Sequence, residues 1–277
     1  MTDRRTFIGT TAAGVLGASP LARILSAASA ERLGAIGLQL YTIRAAMERD
    51  FEGSLARVAR IGYREVEFAG YFKHSPAEVR RIIRRHGLTA PSAHISLEDI
   101  RTRWDQTIED AHTIGHKYLV CAWINDEDRT VEGYRKVAAE FTHAAETARK
   151  AGIEFGYHNH SYEFVPLDGQ LPYDILLAAS DPALVKFELD LFWIAKGGGD
   201  PLAYFAKYPG RFPLVHVKDM SRDGRMVDVG KGTIDFRKIF AQREQAGIRH
   251  FFVEHDEPAD PFASIASSYA WLRGLRF

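Results

Sequence analysis

"IGLQLYTIRAAMERD", Ile36–Asp50, sets an apolar, strand-like run directly before a helical pattern. The junction between the two decides the fold. An open, doubly wound α/β sheet that binds a nucleotide carries a Gly-rich phosphate loop after its first strand. No such loop follows Ile36–Ile43, because the chain runs straight from Tyr41 through Arg44 into Ala45 and Ala46. The other way to wrap parallel strands is a closed (β/α)8 barrel, and the plain junction favours it.

The rest of the chain repeats this unit. Strand candidates follow at 65–70, 90–96, 117–123, 153–160, 185–193, 213–220 and 250–257. Each opens with a near-continuous apolar half, as expected of a parallel strand covered on both faces. Helical patterns fill the gaps. "SLARVARIG" and "SPAEVRRIIRRHG" open with Ser54 and Ser75 as expected caps and end at Gly62 and Gly87. The stretch 130–152 places Val131, Tyr134, Val137, Ala138, Phe141 and Ala145 on one face, and "DFRKIFAQREQAG" starts with Asp235 as its expected cap. Eight units in about 245 residues is the ordinary size of a TIM barrel. The sequence therefore predicts one α/β domain, a (β/α)8 TIM barrel over residues 31–277, with no linker that would set off a second domain.

Residues 1–30 read differently. Arg4-Arg5-Thr6-Phe7-Ile8 precedes a weakly apolar Ala/Gly stretch that ends in Ala28-Ser29-Ala30. A charged start, an apolar middle and small residues at the cut make a cleaved export signal. The paired arginines resemble a twin-arginine signal, which a receptor reads and which is not an anchor. Cleavage near Ala30 and a periplasmic location are the expectation, and no later segment has the apolar length of a membrane span.

Composition narrows the function. Lys+Arg and Asp+Glu both number 36, so the formal net charge is zero and no basic field exists to hold nucleic acid. Cys121 is the one cysteine, which excludes an internal disulfide and a thiolate-rich metal site. With 46% hydrophobic residues the chain can bury a sizeable core.

In a (β/α)8 barrel the chemistry gathers at the C-terminal strand ends. Those ends here carry Gln39 and Tyr41, then Glu67, His94 and Trp123, then His158, Asn159 and His160 with Glu163 just beyond. The later strands add Glu188 and Asp190, His216 with Lys218 and Asp219, and Glu254 with His255 and Asp256. Many carboxylates with no countercharge repel one another, and a divalent cation resolves that conflict, since carboxylate and neutral imidazole are its ordinary ligands. Strand alternation puts Glu188 with Asp190, His216 with Lys218, and Glu254 with Asp256 on shared faces. Lone strand-end residues such as His94, Glu67 and Gln39 serve equally well as structural hydrogen-bonding groups, and Lys231 in "VGKGTI" reads as a solvated loop charge.

The phrases "LQLYTIR", "IGYREVEFAG", "GYHNHSYEF", "ELDLFWIAKGGGDP", "PGRFPLVHVKDM" and "VGKGTIDF" resemble the sugar phosphate isomerase/epimerase superfamily of xylose-isomerase-like TIM barrels. The resemblance spans all but the leader. It implies a divalent metal site (Mn²⁺, Co²⁺, Mg²⁺ or Zn²⁺) with Asp190, His216 and Glu254 as ligands. For the fourth ligand, relatives that end the fifth strand in Glu do not match Gly156, so Glu163 bending back is the expectation, with His158 and His160 as rivals. Epimerases of this kind carry a His where this chain has Trp193, while Arg222 matches a substrate-contacting position.

The implied chemistry is proton movement next to a carbonyl through an enediolate. Glu163 and Glu254 carry the acid/base roles, assisted by His158 or His160. Lys218 contacts a substrate oxygen, His94 and Arg222 belong to the substrate site, and Trp123, Trp193 and Tyr41 form its walls. Export argues against a phosphorylated substrate, so the expectation is isomerisation or epimerisation of a free keto-sugar. β-Elimination of the aglycone from a 3-keto-glycoside is the alternative at the same site. A non-catalytic periplasmic sugar-binding protein is the alternative of another class, and self-association into a homo-oligomer stays open.

Overall fold

Eight short strands pair in parallel, each with its neighbours in sequence: β1 (Gly37–Gln39), β2 (Glu65–Phe68), β3 (Thr89–Ile95), β4 (Tyr118–Cys121), β5 (Glu154–His158), β6 (Val185–Asp190), β7 (Leu214–Val217) and β8 (His250–Val253). β1 also pairs with β8, which closes the barrel. This computed structural model describes residues 31–277; the stretch read as an export signal lies outside the described residues. Among the described residues no helix is long and apolar enough to cross a membrane.

Every strand ends before its apolar run does. Leu40–Ile43 leaves the first strand as a 3-10 turn, and Leu191–Lys196 turns helical directly after Asp190. The last apolar residues of each run thus build the mouth and not the ladder. The helix starts hold one correction. Ser75 caps its helix in a reciprocal capping box with Glu78, and Asp235 accepts the Lys238 N–H at 3.2 Å. Ser54, however, lies inside the helix Phe51–Ile61, whose cap is Asp50, accepting the Gly53 N–H at 2.9 Å. Asp and Ser cap equally well, and the earlier residue adds a turn to the helix. Gly87 and Gly247 have φ of 65° and 86°, the left-handed geometry that ends a helix and releases the chain into the next strand.

The strands' outer faces pack against the helices in one large core that includes Leu38, Val66, Leu119, Phe155, Phe187 and Val215. Inside the bore a separate apolar cluster of Tyr118, Val120, Leu214 and Phe252 fills the middle. Gly37 makes room for it, since a Cβ there would lie 2.4 Å from the Phe252 ring. Two residues further along β7 and β8, on the same face, stand His216 and Glu254. The alternation that fills the bore therefore also delivers polar groups to the mouth.

One feature goes beyond the sequence expectation. Asp219–Met220 pairs antiparallel with Met226–Val227 in a small hairpin after β7. The Asp219 carboxylate accepts N–H groups from Met220, Gly230, Gly232 and Ile234 at 2.8, 2.9, 2.9 and 3.2 Å, which gathers the "VGKGTI" loop around it. Lys231 in that loop is exposed and pairs with Asp228 at 2.8 Å, in keeping with a solvated charge.

Candidate active site

The registers of β5 to β8 set the floor of the site. Asp190 pairs with His216, and His158 pairs with Glu188, so all four come to the same end of adjacent strands. Ligand atoms of His158, Asp190, His216 and Glu254 lie within 4.8 Å of one another, and all four residues are buried. His216 Nδ1 is 2.8 Å from Glu254 Oε2 and 3.7 Å from Asp190 Oδ2, while His158 Nε2 is 3.2 Å from Asp190 Oδ2. Although close to a carboxylate oxygen, His216 Nδ1 has no hydrogen-bond partner of acceptable geometry. A ring nitrogen and carboxylate oxygens gathered this closely from three strands are placed as neighbouring ligands on one cation would be. Borderline and hard donors together suit a divalent ion.

Lys218, also buried, supplies the local positive charge. Its ammonium lies 2.6 Å from Glu254, 2.8 Å from Asp256 and 3.1 Å from Asp190. Burial opposes the charged form of Glu254 and Asp190, but Lys218 outweighs it and holds both carboxyls below their usual range. Burial pushes His158 down to about 4, so its imidazole is neutral and fit to donate a lone pair. Burial likewise depresses His160.

A second group lies deeper. Glu67, His94, Glu188 and His216 also bring ligand atoms within 4.8 Å. His216 Nε2 is 2.6 Å from Glu67 and 3.2 Å from Glu188, and His94 Nε2 is 2.7 Å from Glu188. Burial and the neighbouring Glu188 carboxylate push Glu67 up; Glu188 stays well below its usual range despite burial, held there by His216 and His94.

Above both groups opens a cavity of about 630 Å³, within the range of small-molecule sites. His94, His158, His160, Lys218, Glu254 and Asp256 line its floor, and Tyr41, Arg44 and Trp123 its rim. Tyr41 and Trp123 are 41% and 44% exposed, large apolar faces turned to solvent beside the opening. The Trp193 ring packs 5.6 Å from His160 and 5.6 Å from the Lys218 ammonium.

Two expected residues stand elsewhere. Glu163 is buried outside the donor group, which instead contains His158, one of its two rivals in the sequence reading. Beyond β5 the chain makes a 3-10 turn at Tyr162–Phe164, and Glu163 accepts the Tyr157 O–H and, at 2.9 Å, the His160 N–H. Tyr157 belongs to the outer core, opposite in alternation to His158, so this carboxylate sits behind the strand. Burial raises it to about 7 in spite of those bonds. Arg222 is exposed in the hairpin turn and lies outside the residues that line the cavity.

Of the residues that brace the site, the sequence reading named Asn159 and Gln39 only as polar strand-end residues and did not name Ser92. Asn159 Oδ1 accepts the Asp190 N–H at 3.0 Å, and Gln39 and Ser92 donate to Glu67 at 2.8 and 2.5 Å. Shared strand faces signalled Glu188 and Asp256. Nothing in the local pattern signalled the bracing role of Asn159, whose bond reaches across to the next strand.

The sequence profile described as xylose isomerase-like TIM barrel matches residues 55–275. The chain belongs to this family. Within the xylose isomerase-like barrels it is 24% identical over 257 residues to an inosose dehydratase of Geobacillus kaustophilus (strain HTA426), covering 78% of this chain and 82% of the relative. A solved sugar phosphate isomerase/epimerase from Parabacteroides distasonis ATCC 8503 superposes with a TM-score of 0.76 at 28% identity, over 86% of this chain and 96% of that one. An L-ribulose 3-epimerase structure, 16% identical with a TM-score of 0.67 over 87% and 93% of the two chains, shares the fold.

Proposed function

We propose that the protein is a divalent-metal-dependent enzyme that takes a proton from the carbon next to a carbonyl in a non-phosphorylated keto-sugar or cyclic keto-polyol. The observation that carries this reading is the four-donor group His158, Asp190, His216 and Glu254, two of whose members, His158 and Glu254, line a cavity that also presents Lys218 and His160. These residues would hold the ion, which when bound polarises carbonyl and hydroxyl oxygens and acidifies the adjacent C–H.

The chain's own groups divide the remaining work. The Lys218 ammonium offers hydrogen bonds to the oxygen on which charge develops as the C–H bond breaks. His160 lines the cavity beside His158 and Lys218, and its imidazole is the candidate to accept the proton. Burial makes it a weak base, so the substrate C–H must be strongly acidified before transfer. Glu254 is the second carboxylate at the cavity floor. Tyr41 and Trp123 offer flat apolar surfaces to sugar C–H faces, while Trp193, outside the cavity lining, backs His160 and Lys218.

The electron pair left by the proton has three fates. Reprotonation at the neighbouring carbon isomerises the sugar, and reprotonation at the same carbon epimerises it. Expulsion of a β-oxygen group, which leaves with a proton as water or alcohol, forms a C=C bond conjugated to the carbonyl. We favour elimination, because the chain's similarity to inosose dehydratases spans most of both chains. The exposed rim aromatics and the cavity of about 630 Å³ leave room for a glycoside as well as a single ring.

Incubation with Mn²⁺ and a panel of inososes, keto-sugars and 3-keto-glycosides in D₂O, followed by NMR, tests this. Loss of water or alcohol supports elimination. Deuterium uptake alone supports epimerisation or isomerisation. A metal-loaded protein that binds these sugars yet gives neither would be a binding protein, and the reading would fall. We read residues 1–30 as a twin-arginine export signal cleaved near Ala30; N-terminal sequencing of the protein from a periplasmic fraction tests that assignment.

A further inference from the structure

We propose that Glu67 and Glu188 are positioning residues, which grip the His216 ring by its Nε2–H so that Nδ1 is presented to the ion beside Asp190 and Glu254. This rests on the ion-binding reading above. His216 is the member common to the two donor groups, and its two nitrogens face them separately. Nε2 lies 2.6 Å from Glu67 and 3.2 Å from Glu188, while Nδ1 lies 2.8 Å from Glu254.

A neutral imidazole carries one N–H, and a hydrogen-bond acceptor at one nitrogen settles which nitrogen keeps the lone pair. The hydrogen bond to Glu67 at 2.6 Å, with the Glu188 carboxylate beside it at 3.2 Å, puts the proton on Nε2 and leaves Nδ1 to donate. They also make the ring a stronger donor, as carboxylate partners of metal-binding histidines do.

The grip is itself well anchored. Gln39 and Ser92 hold the two Glu67 oxygens at 2.8 and 2.5 Å, and His94 holds Glu188 at 2.7 Å. Glu67 comes from β2 and Glu188 from β6, so the ring is clasped from two sides of the bore. Stability alone does not account for the arrangement. Two adjacent carboxylates with side chains fully buried are costly, and an apolar pair continuing the Phe252 and Leu214 plug would pack the bore at no such cost.

Titrating Mn²⁺ and Zn²⁺ calorimetrically into the full-length protein and its Glu67→Gln and Glu188→Gln variants reads the effect directly. We expect folded variants, by near-ultraviolet circular dichroism, that bind metal about 10–100-fold more weakly, with Glu67→Asp recovering part of the loss. Wild type that binds no metal overturns the ion-binding reading. Wild type that binds while both folded variants bind within about twofold of it overturns the positioning role. Nitrogen-15 NMR of the zinc-loaded wild type supplies a readout that needs no variant. A proton on Nε2 of His216 with none on Nδ1 supports the assignment, and the reverse tautomer overturns it even if the variants do not fold.

Discussion

The side-chain oxygen of Asn159 accepts the backbone N–H of Asp190 at 3.0 Å, which ties the loop after β5 to the last residue of β6. Both residues are fully buried, so no water can replace the bond. Asn159→Ala leaves a buried N–H without a partner and should cost about 1–3 kcal/mol in urea unfolding. Because the freed backbone belongs to Asp190, metal affinity should weaken in the same variant. Unchanged affinity in a destabilised protein would assign Asn159 to the fold alone.

Lys218 stands among three carboxylates with its side chain 2% exposed. Lys218→Met removes the ammonium shared by Asp190 and Glu254 and should destabilise the metal-free protein by about 3–5 kcal/mol. The same change removes a repelling charge from the ion's surroundings, so Mn²⁺ should bind more tightly by calorimetry. Turnover on any substrate found should drop by about 10²–10³. Tighter metal with lost turnover would separate the role of Lys218 toward substrate from any role in holding the ion.

Stability should fall on acidification through a histidine remote from the site. His116 donates from Nδ1 to the Ala90 carbonyl at 2.7 Å, and its Nε2 lies 3.1 Å from the Tyr71 hydroxyl. Burial depresses it to about 4. The unfolded chain, with an ordinary value near 6.5, therefore binds a proton before the folded one does. Its share of stability is full above about pH 6.5 and declines as pH falls toward 4, by roughly 3 kcal/mol at most. Urea unfolding at pH 7.5 and 4.5 should show a steeper loss in wild type than in His116→Gln.

Metal removal should be visible without substrate. An ion at a hundred times its dissociation constant adds about 2.7 kcal/mol, which at this chain length raises the melting midpoint by roughly 5–10 °C. Chelation should reverse the shift, and His216→Ala should abolish it. A midpoint indifferent to Mn²⁺, Co²⁺, Mg²⁺ and Zn²⁺ would contradict the four-donor site.

The barrel was legible because its signals are local and repeated. Strands buried on both faces read as apolar runs, and glycines such as Gly87 and Gly247 mark the returns from helix to strand. Asp190, His216 and Glu254 were legible for a related reason, since alternation fixes which face of a strand a residue takes. Glu163 was not, because it lies past the end of β5, where the course of a turn and not a period decides direction. The capture of its carboxylate by Tyr157 is a tertiary event with no sequence mark. Glu67 and Glu188 sat in plain view, but a polar residue at a strand end looks the same whether it braces a loop or a buried imidazole.

Asp190 divides its two carboxylate oxygens. Oδ1 receives the Trp193 N–H at 2.8 Å and starts the helix Leu191–Lys196, while Oδ2 faces His158 and Lys218. The donor group and the turn that carries Trp193 are thus welded at one residue. Any redesign that replaces Asp190 shifts both together. The turn bearing Tyr41 is tied in the same way, because Gln39 accepts the Tyr41 N–H at 3.0 Å and donates to Glu67 at 2.8 Å, so a change to that part of the rim also reaches the carboxylates below.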